Sequence, residues 1–81
     1  MSKVYVKQVI RSSCKSPATF AANLLIWKEI TFSDLREHCN EDSYKIALDL
    51  KKVLINNGCI EPKSKRWVKT KKFIQILESL A

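Results

Sequence analysis

The chain has 81 residues, 46% hydrophobic and 28% charged, with a formal net charge of +7. That length suits one compact domain with one core, and the composition fits neither a disordered chain nor a membrane-spanning one. One glycine and one histidine leave no glycine-rich phosphate loop and little acid–base chemistry, so an enzyme is not expected.

Residues 3–10, KVYVKQVI, are valine-rich and alternate only imperfectly. They fit a strand or an extra helix, and the β-branched content favours the strand. Residues 11–15 read as a loop. Ser16-Pro17 is a helix start, because the serine can accept from a free N–H and proline fits the first helical position. That helix runs to about Lys28, with Phe20, Leu24 and Trp27 on one face and Ala21 and Leu25 widening it. Ile30 is a short extended residue. Thr31 with Asp34 three positions on forms a capping-box pair for a short helix carrying Leu35 and Cys39. After the polar turn 40–43, Asp42 or Ser43 caps the longest helix. Its apolar stripe is Ile46, Leu50, Val53 and Leu54, and Gly58 supplies a left-handed exit. Residues 59–61 and 67–69 are strands around a turn at 62–66. Thr70 caps a last amphipathic helix built on Phe73, Ile74, Leu77 and Leu80.

Charge is uneven along this plan. Residues 1–28 hold five basic and no acidic side chains, residues 29–62 four basic and seven acidic, and residues 63–81 six basic and one acidic. Positive ends flanking an acidic middle favour a polyanionic partner. Cys14, Cys39 and Cys59 are odd in number and form no CxxC, so they read as reduced thiols. Adjacent His38 and Cys39 point about 100° apart on a helix and chelate poorly together, so no metal or other cofactor is expected. The longest apolar run, residues 24–27, is too short to span a bilayer, and the start lacks a secretory signal. A cytoplasmic protein without a membrane partner is the expectation.

The run Ile30-Thr31-x-x-Asp34-Leu35, a polar turn, then Ile46-x-x-x-Leu50-x-x-Val53-Leu54-x-x-x-Gly58-x-Ile60-Glu61 resembles the winged helix-turn-helix superfamily in its MarR-type pattern. Trp67-Val68-Lys69-Thr70 and the helix after it are similar to that family's second wing strand and following helix, although Phe73 stands where many members carry glycine. The Met-Ser-Lys-Val opening and the helix end Val53-Leu54-Ile55-Asn56-Asn57-Gly58 are also similar to the N-terminal domain of the T4-type phage middle-promoter activator family. The resemblance implies an α+β winged helix-turn-helix in a single domain. It would comprise an N-terminal strand or arm (1–15), three helices (16–57), a two- or three-stranded wing (59–69) and a C-terminal helix (70–81).

On that reading the partner is double-stranded DNA and the role that of a transcriptional regulator or phage-type control factor. Ser43, Tyr44 and Lys45, with Lys52, would face the duplex from the long helix, while Lys63, Lys65, Arg66 and Lys69 would meet phosphate from the wing. Six basic residues within positions 63–72 exceed what solubility requires. Trp67 reads as core cover, whereas Tyr44 stays open between ligand contact and packing. His38 reads as a surface residue. The alternative is a protein-interaction winged helix whose acids Glu37, Glu41, Asp42 and Asp49 engage RNA polymerase or another regulatory protein. The N-terminal segment and the last helix are the candidate surfaces for a homodimer.

Overall fold

The computed structural model describes residues 2–81, without the side chains of Ser2 and Asp42. Its N-terminal segment is helix α1 (Ser2–Ser13), not the strand that its valines suggest. Burial shows why the helix wins. In a strand Val4 and Val6 would share a face, yet Val4 is 55% exposed and Val6 fully buried. Val6, Ile10 and Cys14 recur every four residues and are all buried. That spacing places one helical stripe against two other helices, which outweighs the weak β preference of valine.

Hydroxyl caps set the remaining helix starts. Ser16 Oγ accepts from the Thr19 N–H at 3.3 Å ahead of α2 (Pro17–Ile26). A two-residue strand, β1 (Glu29–Ile30), follows. Before α3 (Phe32–His38) the Asp34 N–H donates to Thr31 Oγ1 at 3.3 Å, and the Thr31 N–H donates to Asp34 Oδ2 at 2.8 Å. A 3₁₀ turn at Asn40–Asp42 leads into α4 (Tyr44–Asn56), where Ser43, not Asp42, is the capping residue. Strands β2 (Ile60–Lys63) and β3 (Arg66–Lys69) form a hairpin, and Thr70 caps α5 (Lys71–Leu80). Among the described residues the result is a small α+β fold of five α-helices and a three-stranded antiparallel sheet. α1 packs on α4 and α5, α2 on α5, and α3 on α4.

The sheet order is β1-β3-β2, so the last strand in the sequence lies in the centre. Ile30 stands opposite Trp67, which stands opposite Pro62, and Ile60 stands opposite Lys69. Side chains alternate along a strand, so Ile30, Ile60, Trp67 and Lys69 share the inner face, while Arg66 and Val68 look outward with Lys63. Pro62 sits on the edge strand, where its missing N–H breaks no ladder.

This alternation sets the direction of the Lys69 side chain. Its ammonium turns under the sheet and donates to the carbonyls of Leu24 and Trp27, at the end of α2. A cation there satisfies helix-end acceptors and meets the negative end of the helix dipole. Burial works against that charge and lowers the Lys69 pKa below the usual lysine value. The hydrogen bonds hold it in place.

A second lysine does similar work at the end of α4. Gly58, at φ +69°, reverses the chain there, and the Cys59 N–H donates to the Leu54 carbonyl at 2.8 Å. Lys72 Nζ donates to the Asn57 carbonyl at 2.7 Å, and the Thr70 hydroxyl donates to the Gly58 carbonyl at 2.7 Å. The start of α5 therefore clamps the exit of α4 and the root of the hairpin. Beneath these contacts lies an apolar core with Phe20, Leu24, Leu35, Leu50, Leu54, Phe73 and Leu77 fully buried. No polar or charged residue is buried among the described residues.

Lys69→Met leaves two carbonyls without a donor, so we expect a loss of about 1–2 kcal/mol in urea unfolding. Lys65→Met, on the exposed turn, should stay within about 0.5 kcal/mol of wild type. A pH effect follows from the thiols. Burial, assisted by nearby Cys39, pushes Cys14 from 9.0 up to about 12, and burial likewise raises Cys59. The unfolded chain then releases those protons first, so stability falls as pH rises from 9.0 towards 12. Urea midpoints between pH 8 and 11 should decline (range set by the thiol pKa near 8.5–9), and Cys14→Ala should flatten the decline.

Candidate nucleic-acid interface

α4 buries Ala47, Leu50 and Leu54 and exposes Tyr44, Lys45, Asp49, Lys52, Ile55 and Asn56. At 100° per residue, Lys45, Asp49, Lys52 and Asn56 fall on one outward line. Lys45 and Lys52 are thus displayed as the sequence suggests, with the carboxylate of Asp49 between them. Ser43 is different. Its Oγ accepts from the Ile46 N–H at 3.2 Å, so its main task is to start the helix.

Tyr44 opens the same helix and is 57% exposed. Its ring lies 5.3 Å from that of Phe32 on α3, and the guanidinium of Arg36 sits 5.9 Å from its centre. Two turns further on, Lys51 Nζ lies 5.8 Å from the Phe32 ring and 5.7 Å from the Trp67 ring on β3. Cations above aromatic faces are held by the ring quadrupole, by about 0.5–1 kcal/mol each at exposed sites. The row Arg36, Tyr44, Phe32, Lys51, Trp67 therefore ties α3, α4 and the hairpin into one cationic face. Arg36 and Lys51 had no distinguishing mark in the sequence. A helical spacing of seven from Tyr44 places Lys51 on the Tyr44 side of α4, and only the fold brings Trp67 beneath it.

At the hairpin end Lys63 stands directly opposite Arg66, with Ser64 and Lys65 forming the turn. Ser64 has φ +59°. Lys63, Lys65 and Arg66 are all exposed. Arg66, exposed, lies 3.7 Å from Glu29 of β1, which is half-buried, and such a solvent-accessible pair contributes little in water. Lys69 and Lys72 are withdrawn to the helix ends described above, and Lys71 is exposed. The hairpin thus displays fewer cations than its sequence holds.

His38 corrects the surface-residue expectation. It is half-buried, with Phe20 and Trp27 edge-on at 5.7 and 6.2 Å between ring centres. Nδ1 lies 2.8 Å from the Asp34 carbonyl, which can only accept, so Nδ1 carries the hydrogen. Nε2 accepts from the Asn23 amide at 2.9 Å. Both ring nitrogens are engaged in joining α3 to α2. No group of three or more metal-ligating side chains occurs among the described residues. Of the acids in the alternative reading, Glu37, Glu41 and Asp49 are exposed, and the side chain of Asp42 lies outside the described residues. No helix among the described residues is long and apolar enough to cross a membrane.

Ser43→Ala removes the α4 cap and should cost about 1 kcal/mol in chemical unfolding, whereas Ser43→Gly should cost only a few tenths. A larger penalty for glycine than for alanine would show that the hydroxyl is not acting as a cap. No family model, curated protein or solved structure matches the chain.

Proposed function

We propose that the chain is a winged helix-turn-helix protein that binds duplex DNA, chiefly through the phosphate backbone. The order α2-β1-α3-α4-β2-β3, with β3 central in the sheet, supports that reading of the fold. In it α3 and α4 form the helix-turn-helix, and β2 with β3 forms the wing. The observation that carries the function is the end of the hairpin. Lys63 and Arg66 oppose each other across the strands, and Lys65 occupies the turn between them. Like charges directly opposed destabilise a hairpin, and a polyanion bound between them offsets that repulsion by attracting both.

Lys45, Lys51 and Lys52 add positive charge from α4, and Arg36 adds it from α3. Tyr44 supplies an exposed hydroxyl near the helix start. No Arg, Asn or Gln stands among the early exposed residues of α4, so the strongest side-chain pairs for reading bases are missing. Binding should therefore depend strongly on salt and weakly on sequence. A role in transcriptional control is part of this proposal, with a regulatory protein as the alternative partner.

The test is a fluorescence-anisotropy titration of duplex DNA at two salt concentrations. Lys65→Ala with Arg66→Ala should weaken binding roughly tenfold or more and flatten the salt dependence by about two units of log–log slope. The variant's melting curve should stay close to wild type, because both side chains are exposed. Unchanged low-salt affinity in the double variant would remove the hairpin from the interface.

A further inference from the structure

Two of the three thiols face each other in a way that the DNA-binding reading does not use. Cys14, just after α1, and Cys39, just after α3, form an isolated antiparallel bridge. The Lys15 N–H donates to the His38 carbonyl at 2.9 Å, which is the bond that flanks a non-hydrogen-bonded pair. In such a pair the Cα atoms are about 4.5 Å apart and the side chains leave the same side. A disulfide needs Cα atoms about 4.4–6.8 Å apart, so the backbone already has the separation that a bridge requires. Cys14 is 4% exposed and Cys39 is fully buried, and no disulfide is present. Cys59 lies elsewhere, at the exit of α4 beneath Thr70 and Lys72.

We propose that Cys14 and Cys39 are a modification site at which a small peroxide forms an intramolecular disulfide. The reaction balances in two steps. The Cys14 sulfur attacks one peroxide oxygen, giving a sulfenic acid and, from hydrogen peroxide, one water. The Cys39 sulfur then attacks the Cys14 sulfur, forming the S–S bond and releasing the hydroxyl with the second thiol proton as another water. The two thiols lose two electrons and two protons in all, and the peroxide O–O bond is reduced. Cys14 reacts first because it retains the only exposed surface of the pair. A small oxidant is required because the site is almost closed. Burial holds Cys14 up to about 12, so little thiolate exists at neutral pH and the reaction is slow.

The bridge would close a ring containing α2, β1 and α3, and so restrict the unfolded chain. A ring of this size should raise the melting midpoint by roughly 10 °C or more. The site is independent of what the hairpin binds.

The experiment treats reduced, full-length protein with hydrogen peroxide, alkylates the remaining thiols, and maps the peptides by mass spectrometry. We expect a monomer that has lost two hydrogens, with Cys14 linked to Cys39 and Cys59 alkylated. Its melting midpoint should be higher and should return to the starting value with dithiothreitol. Cys59→Ala should form the same link. Linkage through Cys59, disulfides only between molecules, or sulfinic acid at Cys14 without a bridge would each overturn the proposal. So would an oxidised monomer that melts below the reduced one. Wild-type peptide mapping decides the matter even if Cys14→Ala does not fold.

Discussion

The alternation of side chains along β3 governs the rest of this structure. Because β3 is the central strand, Trp67 and Val68 are paired on both sides, and they fix the register that commits Arg66 and Lys69 to opposite faces. Trp67 and Lys69 face inward with Ile30 and Ile60, and Arg66 and Val68 face outward. A one-residue slip would send Lys69 into solvent, leave the end of α2 without its donor, and bring Arg66 under the sheet. The register therefore separates cations that hold the fold from cations that the fold displays.

The same separation recurs where α5 meets α4. Lys72 reaches the Asn57 carbonyl and Thr70 reaches that of Gly58, so the first turn of α5 fixes the point from which the hairpin leaves. Gly58 makes that exit possible through its positive φ. With Lys69 and Lys72 occupied at helix ends, the outward charge of the hairpin rests on Lys63, Lys65 and Arg66. Lys51 extends this face across α4 by lying against Phe32 and Trp67. The proposed interface is thus positioned by helix ends and by ring contacts, each of which spends a cation locally.

Local chemistry was the readable part of the sequence. The caps at Ser16, Thr31 and Thr70 and the turn at Gly58 involve residues within a few positions of one another, and they stand where short-range rules put them. The N-terminal segment was misread because a valine-rich stretch expresses only a weak preference, whereas its fate depends on a groove between α4 and α5. The partners of Lys69 are hidden from the sequence for a related reason. Its inner face could be deduced from Trp67 two positions earlier, but the carbonyls that receive it lie more than forty residues away in sequence. Arg36, Lys51 and the two engaged nitrogens of His38 likewise depend on partners that only the folded chain supplies.

The most direct measurement is the acetylation rate of each lysine, followed by mass spectrometry at low modification with and without duplex DNA. The expected result is slow reaction at Lys69 and Lys72 in both states, and fast reaction at Lys63 and Lys65 that duplex suppresses. Lys69 reacting as fast as Lys65 in the free protein, or Lys65 remaining fully reactive in the bound state, would contradict it.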